Sequence, residues 1–274
     1  MNREITYAIV LYKNDSLALK KAVNSLLDLD LNATLFLIDN SPSDELRGLI
    51  SAPNITYIHN PSNPGFGASH NVAIKEAINS GAKYHFIVNP DIYFTGDVVT
   101  PMINYMEKNL DVGMMMPEIL NDDGSVQYLP KLLPSPFWIF RRKLKFPSEL
   151  HKKFVSKYEL RHVPRKTIYN SPILSGCFSL LRLQAVKELG AYDDERYFMY
   201  FEDFDLSRRI HKLYKTLYFP LVSVYHSYNS EANKSPRLFR VFISSAIAYF
   251  NKFGWFFDND RETINNKTLS QFES

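Results

Sequence analysis

Strand-like and helix-like segments alternate through the first third of the chain, and this alternation constrains the fold more than any other feature. Compact apolar runs predict buried strands, and apolar residues spaced three and four positions apart predict helices. The predicted strands are Ile5–Leu11, Thr34–Ile38, Ile55–Ile58 and Tyr84–Val88, and the predicted helices are Ser16–Leu27, Asp44–Ile50 and a segment that follows Gly67 and runs through Ile78. A βαβα order predicts an α/β fold with a mostly parallel central sheet and helices on both faces.

The second half of the chain is less regular. Two further strands are predicted at Ile173–Leu183 and Leu217–Val224, and a helix is predicted at Asp203–Leu213. From Ser235 onward, apolar residues at helical spacing predict a C-terminal amphipathic helix, and the last dozen residues are polar and expected to fray. We therefore expect one α/β domain over residues 1–230, with an insertion at about 120–170, and a helical extension with a tail over residues 231–274.

The composition is that of a globular protein, with 45% hydrophobic and 22% charged residues. Cys177 is the single cysteine, so an intramolecular disulfide is excluded and a reducing compartment is favoured. No apolar run reaches the ~18–20 residues that span a bilayer. The apolar run Ile5–Tyr12 is better explained as a core strand than as a signal peptide. These features predict a cytoplasmic protein, either free or peripheral on the inner face of the membrane.

Polar residues follow the predicted strands at the point where each strand ends. Tyr12, Asp39-Asn40, the turn-rich Asn60–Gly67 and Asn89–Asp91 all occupy such positions. Ligands of open α/β sheets bind beyond the carboxyl ends of the strands, so these segments predict a nucleotide site. Asn63-Pro64-Gly65-Phe66-Gly67 is interpreted as a loop that lets backbone N–H groups approach a phosphate, or alternatively as a tight turn into a helix. A dinucleotide oxidoreductase is disfavoured because no G-x-G-x-x-G sequence is present.

Four acidic or histidine residues are candidates for the chemistry. Asp91 suits a divalent cation that bridges a diphosphate, although Asn89-Pro90-Asp91 also fits an Asx turn. In the pair Glu202-Asp203 one carboxylate suits a general base, although acids also favour helix N-termini. His226 ends a strand and is either a second metal ligand beside Asp91 or a structural histidine.

Together these segments resemble the family 2 glycosyltransferases, which have the GT-A fold, over about residues 5–230. The matching motifs, in family order, are Ile9-Val10-Leu11-Tyr12-Lys13-Asn14, Leu37-Ile38-Asp39-Asn40-Ser41, Asn63-Pro64-Gly65-Phe66-Gly67 with Asn71, Val88-Asn89-Pro90-Asp91, Ser175-Gly176-Cys177-Phe178, Gly190-Ala191-Tyr192-Asp193, Tyr197 through Leu206 with Arg209, and His226. The Asn-Pro-Asp motif and Phe-Met-Tyr-x-Glu-Asp-x-Asp-Leu look most like the rhamnosyltransferases of bacterial O-antigen and cell-wall polysaccharide assembly.

The resemblance implies a role for each matching residue. Asp39 would read the nucleobase with Tyr12 nearby, Asp91 and His226 would hold Mg²⁺ or Mn²⁺ on the donor diphosphate, and Asp203 would be the base beside Glu202. The further residues implied at the nucleotide-sugar are Asn40, Asn63, Gly65, Asn71 and Asn89, and those on the acceptor side are Tyr200, Asp205 and Arg209. Many relatives carry Asp where this chain has Asn89, so the ion is expected to bind only with the nucleotide present.

The resemblance also implies a reaction and its partners. The reaction would be a single inverting displacement from dTDP-β-L-rhamnose, with a UDP- or GDP-sugar as the alternative donor. The acceptor would be a saccharide or an undecaprenyl-diphosphate-linked saccharide. An alternative of another class is a non-catalytic protein that binds nucleotides or docks on a membrane.

A basic and aromatic segment lies inside the insertion. Residues 137–166 hold ten Lys or Arg residues and two acids, interleaved with aromatic residues. With lipid-linked acceptors, this segment is interpreted as a contact with an anionic membrane surface, or alternatively as a solvated lid over the acceptor site. Nucleic acid is not expected as a partner, because no nucleic-acid-binding fold is recognised.

Overall fold

A computed structural model describes residues 4–29, 31–50, 52–143, 148–227 and 235–273. The strands are β1 (Ile5–Leu11), β2 (Ala33–Asp39), β3 (Ile55–His59), β4 (Tyr84–Val88), β5 (Ile92–Tyr93), β6 (Val112–Leu120), β7 (Tyr169–Asn170), β8 (Phe178–Arg182) and β9 (Lys215–His226). The helices are α1 (Ser16–Leu27), α2 (Phe66–Asn79), α3 (Val99–Lys108), α4 (Pro136–Lys143), α5 (Ser148–Tyr158), α6 (Leu183–Leu189), α7 (Glu202–His211), α8 (Pro236–Phe253) and α9 (Asn259–Ser270).

Within these ranges the strands form one mixed sheet in the order β3-β2-β1-β4-β8-β6-β9-β5, with β7 paired to β9. The first four strands are parallel, as the βαβα pattern predicts. Strand β8 runs antiparallel to β4, and its register places Phe178 opposite Val88. Strand β5 runs antiparallel to β9 and places Ile92 opposite His226. Because of these two reversals, three further segments lie at the edge where β1, β2 and β4 end. They are the segment that follows β4, the segment that precedes β8, and the end of β9.

Helix α1 shows how local sequence produces these elements. The side chain of Asp15 accepts hydrogen bonds from the N–H groups of Leu17 and Ala18, which caps the first turn. Leu19, Val23 and Leu26 then recur at helical spacing and are buried against the sheet. Full burial of each such side chain stabilises the fold by roughly 1.5–3 kcal/mol.

The C-terminal helices pack on the aromatic stretch that precedes α7. Tyr197 and Phe201 form an apolar cluster with Ala246, Tyr249 and Phe250 of α8. The Phe201 and Tyr249 ring centroids are 5.4 Å apart. The predicted boundary at residues 230–231 lies outside the described residues, and the division into a domain and an extension stays a prediction. No helix of the described ranges is both long and apolar enough to cross a bilayer.

Three local predictions were wrong: a helix at Asp44–Ile50, the start of a strand at Ile173 and the fraying of the tail. Only a 3-10 turn, Arg47–Leu49, forms within the helix predicted at Asp44–Ile50. The strand predicted from Ile173 begins at Phe178, because the N–H of Leu174 instead bonds the Ser207 hydroxyl at 3.2 Å and the chain turns towards α7.

Within its described residues, up to 273, the tail does not fray as expected, because polar side chains of α9 and of Gln271, which caps it, complete the backbone hydrogen bonding of distant segments. The amide of Asn265 bonds both the N–H and the carbonyl of Leu133, at 2.8 and 3.0 Å. Gln271 bonds both backbone groups of Asn170, each at 2.9 Å.

Several cations of the basic segment are paired with acids of the protein itself. Glu118, buried in β6, accepts from Arg165 at 2.8 Å and from Lys166 at 3.2 Å. Arg161 pairs with the buried Glu159 at 2.5 Å. The positive charge counted in the sequence is therefore partly neutralised within the fold. Residues 144–147 of the segment lie outside the described residues, and contact with a membrane stays a prediction.

Candidate active site

Asp91 and His226 meet at the carboxyl edge of the sheet. The Asp91 Oδ1 and His226 Nε2 atoms are 3.3 Å apart, and Asn89 Nδ2 lies 3.4 Å from the same nitrogen. The antiparallel pairing of β5 with β9 causes this approach, since it holds Ile92 opposite His226. The two residues predicted as metal ligands are thus neighbours, although 135 positions separate them in the chain.

Gln127 orients the imidazole of His226. Its amide nitrogen lies 2.9 Å from the His226 carbonyl and 2.8 Å from Asn121 Oδ1, both acceptors. Its oxygen therefore faces His226 Nδ1, at 3.0 Å. This arrangement places a proton on Nδ1 and turns Nε2 towards Asp91, the orientation that a metal-binding histidine requires.

The donor atoms fit a hard divalent cation. No described residue donates a hydrogen bond to Asp91 Oδ1, although this atom is buried. Within the described ranges, no group of three His, Cys, Asp or Glu side chains gathers around a common point. An ion here would therefore take one carboxylate and one imidazole from the protein and its remaining ligands from a diphosphate and water, which suits Mg²⁺ or Mn²⁺.

Glu202 and Asp203 begin α7 and have different acidities. Burial raises the pKa of Glu202 well above its usual range, and the Asp203 charge raises it further. Burial also raises the pKa of Asp203, to about 6, against the lowering effects of the Gly176 N–H and of the Lys131 charge. Glu202 is thus the weaker acid of the pair, which is the division expected when only one carboxylate is a base.

A strained backbone precedes this pair. Tyr200 and Phe201 both adopt positive φ, 68° and 65°, a region that costs roughly 1–2 kcal/mol for each residue with a side chain. Burial of the Phe201 ring in the α8 cluster holds it there. Tyr197 and Phe201 are therefore core residues, whereas Phe198 is partly exposed.

The segment Ser175–Cys177 connects the Asp91 and Asp203 sides. The Asn89 N–H donates to the Cys177 carbonyl at 2.7 Å, and the Gly176 N–H lies 3.4 Å from Asp203 Oδ2. Burial raises the pKa of the Cys177 thiol to about 12, and the charges of Asp91 and Asp203 both add to this effect. Gly176 and Cys177, which are adjacent in the chain, thus contact the Asp203 side and the Asp91 side of the site.

The predicted phosphate-binding loop is packed on the aromatic stretch. Gly65 has φ +105°, and the Phe66 N–H donates to the Phe198 carbonyl at 2.9 Å. A Cβ atom at Gly65 would lie 2.2 Å from that carbonyl oxygen. Asn63 also has positive φ. Glycine at 65 is therefore required by a close approach between this loop and the segment before Glu202.

Asp39 stabilises the strand-end loops at the other side of the site. It is fully buried; one carboxylate oxygen accepts from the Ser41 N–H at 2.8 Å and the other from the Tyr57 hydroxyl. Asn40 donates to the Ser69 hydroxyl at 2.7 Å, and Tyr12 is largely exposed at the end of β1. Contact of Asp39 and Tyr12 with a nucleobase stays a prediction.

Three other predicted site residues are engaged in contacts within the protein. Asn71 exchanges hydrogen bonds with the backbone of Tyr192, at 2.9 and 3.0 Å. Asp205 is buried between Arg209 and Lys252, each at 2.5 Å. The Arg209 guanidinium also donates to three carbonyls, those of residues 189–191. These contacts support the geometry around α7, and contact with donor or acceptor stays a prediction for all three.

Two residues beside the predicted set were not found from the sequence. Gln127 orients His226, and the buried Lys131 places its charge where it lowers the pKa of Asp203. Both follow the Asn121–Gly124 turn, in a stretch without a periodic pattern. No local signal links them to partners 99 and 72 positions away.

Comparison with known proteins agrees with this architecture. Residues 7–190 match the model of the family described as Glycosyl transferase family 2. The chain is 25% identical over 261 residues to an N-acetylglucosaminyl-diphospho-decaprenol L-rhamnosyltransferase of Mycobacterium tuberculosis, covering 84% of this chain and 76% of the relative.

Similar solved structures share the fold. GalNAc-T7, crystallised with UDP, GalNAc and Mn²⁺, has a TM-score of 0.64 and 17% identity over 89% of this chain, which spans 47% of that chain. The S. aureus TarS fragment 1–349 has a TM-score of 0.58 and 14% identity, with 97% and 70% of the two chains covered. The mannosyltransferase PcManGT from Pyrobaculum calidifontis, in complex with GDP-Man and Mn²⁺, has a TM-score of 0.56 and 11% identity, with 98% and 74% covered. The predicted GT-A fold is confirmed, and the chain belongs to glycosyl transferase family 2.

Proposed function

We propose that this protein is a metal-dependent, inverting glycosyltransferase that moves L-rhamnose from dTDP-β-L-rhamnose to a saccharide or lipid-linked saccharide. The observation that carries the proposal is the arrangement of Asp203 and the Asp91–His226 pair on either side of the segment Ser175–Cys177. Family membership supports sugar transfer. The name of the mycobacterial relative supports both rhamnose and a lipid-linked acceptor.

Asp203 supplies the base for the acceptor. With a pKa of about 6 it is ionised at neutral pH and close enough in acidity to accept a proton as the reaction proceeds. The acceptor oxygen forms a bond to the anomeric carbon, its proton passes to Asp203, and the bond from that carbon to the diphosphate oxygen breaks. The electron pair leaves with the nucleoside diphosphate. Attack from the face opposite the leaving group converts a β-L donor into an α-L product.

Asp91 and His226 serve the leaving-group side. They would hold Mg²⁺ or Mn²⁺, which when bound supplies positive charge to the departing diphosphate. Gln127 holds the imidazole so that His226 Nε2 faces Asp91. Asn89 lies beside them and contributes an amide rather than a second negative charge. With a single carboxylate, the site is expected to bind the ion strongly only when the nucleotide diphosphate adds its own oxygens.

A UDP- or GDP-sugar is the alternative donor, supported by the UDP and GDP-Man named in two of the similar structures. Thermal shifts measured with dTDP, UDP and GDP at equal concentration, each with and without Mn²⁺, distinguish the three because the ligand with the highest affinity stabilises the folded protein most. A larger shift with UDP or GDP than with dTDP would replace rhamnose as the proposed sugar.

The proposed base is tested by Asp203→Asn, with Glu202→Gln as the matched control. Asp203→Asn removes the proton acceptor, so transfer should fall roughly 10²–10⁴-fold while Mn²⁺-dependent dTDP binding persists. Glu202 holds its proton more tightly than Asp203, so its neutral isostere should retain most of the turnover. Near-normal transfer by Asp203→Asn would remove it from the base role, and a loss confined to Glu202→Gln would move the role to Glu202.

A lipid-linked acceptor would be presented at a membrane surface. An open cavity of about 600 Å³ lies between α5 and the end of the chain, lined by Lys152, Lys153, Lys157 and His162 with Glu273 among the remaining residues. This cationic lining supports attraction of the basic segment, residues 137–166, to anionic lipid headgroups.

A further inference from the structure

Two adjacent phenylalanines project into solvent at the turn between α8 and α9. Phe256 is 82% exposed and Phe257 93%, the highest fractions among the large apolar side chains of the described residues. Single exposed apolar residues are common and require no explanation. A pair of nearly fully exposed aromatic rings is different, because each ring leaves in contact with water about as much apolar surface as any side chain can bury.

The turn that carries the two rings is held in a defined shape. Gly254 has φ +107°, and a Cβ there would lie 2.4 Å from the Phe257 carbonyl oxygen. Trp255 packs inward, with its ring centroid 5.3 Å from that of Phe250 and its indole N–H on Asn251 at 2.8 Å. On the other side Asp258 caps α9 and is bound by the buried Arg208. The rings therefore project from an anchored turn.

The same turn lies beside the basic segment. Arg261 donates to the Pro134 carbonyl at 3.4 Å and to the Phe256 carbonyl at 3.3 Å, which joins the turn to the residues just before α4. Phe137, in the first turn of α4, is 63% exposed. The guanidinium of Arg141 lies 5.8 Å from the Phe137 ring centroid. Exposed aromatic rings and cations thus occupy one region of the surface.

Charge in this region favours an anionic partner. Of the three acids that follow the phenylalanine pair, Asp258, Asp260 and Glu262, the first two are matched by cations: Asp258 by Arg208 at 2.6 Å and Asp260 by Lys212 at 3.2 Å. The guanidinium of Arg141 lies beside Phe137 in this region, and aromatic rings beside basic residues are the pattern of surfaces that enter the interface of a bilayer.

We infer that Phe256 and Phe257 form a membrane-inserting tip, which places both rings among the headgroups and upper acyl chains of an anionic bilayer while Arg141 of α4 contacts the headgroup charges. The purpose of this tip rests on the proposed lipid-linked acceptor, but membrane binding itself does not depend on catalysis. Because Asp258 joins the tip to Arg208 of α7, insertion would also set the orientation of the helix that carries Asp203.

The test is sedimentation with vesicles of equal parts phosphatidylglycerol and phosphatidylcholine. The double variant Phe256→Ser and Phe257→Ser should lower the partition coefficient about tenfold or more, because two aromatic rings no longer leave water. The matched control is Leu17→Ser with Leu110→Ser, which changes two apolar residues that are 74% and 70% exposed elsewhere on the surface. The control should bind like the parent. Absence of binding by the parent, or equal binding by the phenylalanine variant, overturns the inference.

Two further readouts separate the outcomes. Sedimentation velocity detects the competing occupant, a second copy of the chain: a dimer that becomes monomeric in the phenylalanine variant, with vesicle binding unchanged, overturns the membrane tip. Mn²⁺-dependent dTDP binding, measured on the same variant, should be retained, so loss of the tip and failure of the proposed function are distinguished.

Discussion

Arg208 of α7 and Asp258, the residue that caps α9, form a buried bidentate ion pair. The Nη2–Oδ1 distance is 2.6 Å and the Nη1–Oδ2 distance is 2.8 Å. The guanidinium also lies 4.2 Å from the Phe253 ring centroid and donates to the Tyr249 hydroxyl at 3.3 Å. The helix that carries Asp203 is thereby fastened to the C-terminal helices.

We expect Asp258→Ala to destabilise the protein by about 3–5 kcal/mol, because it leaves the Arg208 charge buried without its partner. Asp258→Ser retains an oxygen that can cap α9, so it should recover about 1 kcal/mol of the loss. The measurement is urea unfolding of both variants. Asp111→Ala is the matched control: it removes an exposed pair with Lys215, 2.7 Å apart, and should cost at most about 1 kcal/mol. Equal effects at positions 258 and 111 would contradict this account.

Transfer should depend on pH through Asp203. A base must be unprotonated, and burial raises the pKa of Asp203 to about 6, so kcat/KM should be constant above this value and fall towards tenfold per pH unit below it. The profile is measured from pH 5 to 8 at saturating Mn²⁺. Glu202→Gln should keep the same midpoint, since the Glu202 charge is not among the main causes that set the pKa of Asp203. A profile that stays flat down to pH 5 would exclude Asp203 as the titrating base.

The metal assignment predicts a graded series of variants. Asp91→Ala and His226→Ala should each abolish most of the Mn²⁺-dependent part of nucleotide binding, because each removes one of two protein ligands. Gln127→Ala should weaken it about 10–100-fold, because the imidazole loses the partner that orients it. Isothermal titration of dTDP with and without Mn²⁺ measures the difference. Unchanged metal dependence in Asp91→Ala would reject the site.

Gly65 and Gly124 make a matched pair, since both have positive φ but only Gly65 is crowded. At Gly124, φ is +80° and nothing lies within 4 Å of the position a Cβ atom would take, so alanine should cost about 1–2 kcal/mol from backbone strain alone. At Gly65 the methyl group of alanine would also collide with the Phe198 carbonyl, so the loop must move. We expect a larger loss of stability and weaker nucleotide binding for Gly65→Ala. An equal loss of unfolding free energy in both variants would show that the loop can move away from the Phe198 carbonyl without destabilising the protein.

Much of the site could be anticipated because it depends on strand ends. Apolar runs at helix or strand periodicity are local, and parallel strands bring their carboxyl ends to one edge whatever the loops contain. Asp39 and Asp91 could therefore be placed at a common edge from strand periodicity alone. Asp203 and His226 were added from the order of the family motifs. Periodicity alone does not show how far these two residues lie from that edge.

The sequence by itself determined the α/β class, most of the β1–β4 half of the sheet and the chemical character of the candidate site. Only the tertiary structure decided which side chains are paired: Gln127 with His226, Arg208 with Asp258, and Lys131 near Asp203. It also decided that Tyr197 is buried while Phe257 is exposed. The physical reason is that hydrogen bonds and ion pairs between distant segments depend on how the helices pack on the sheet. Periodicity indicates only whether a residue lies on the apolar face of its own helix or strand.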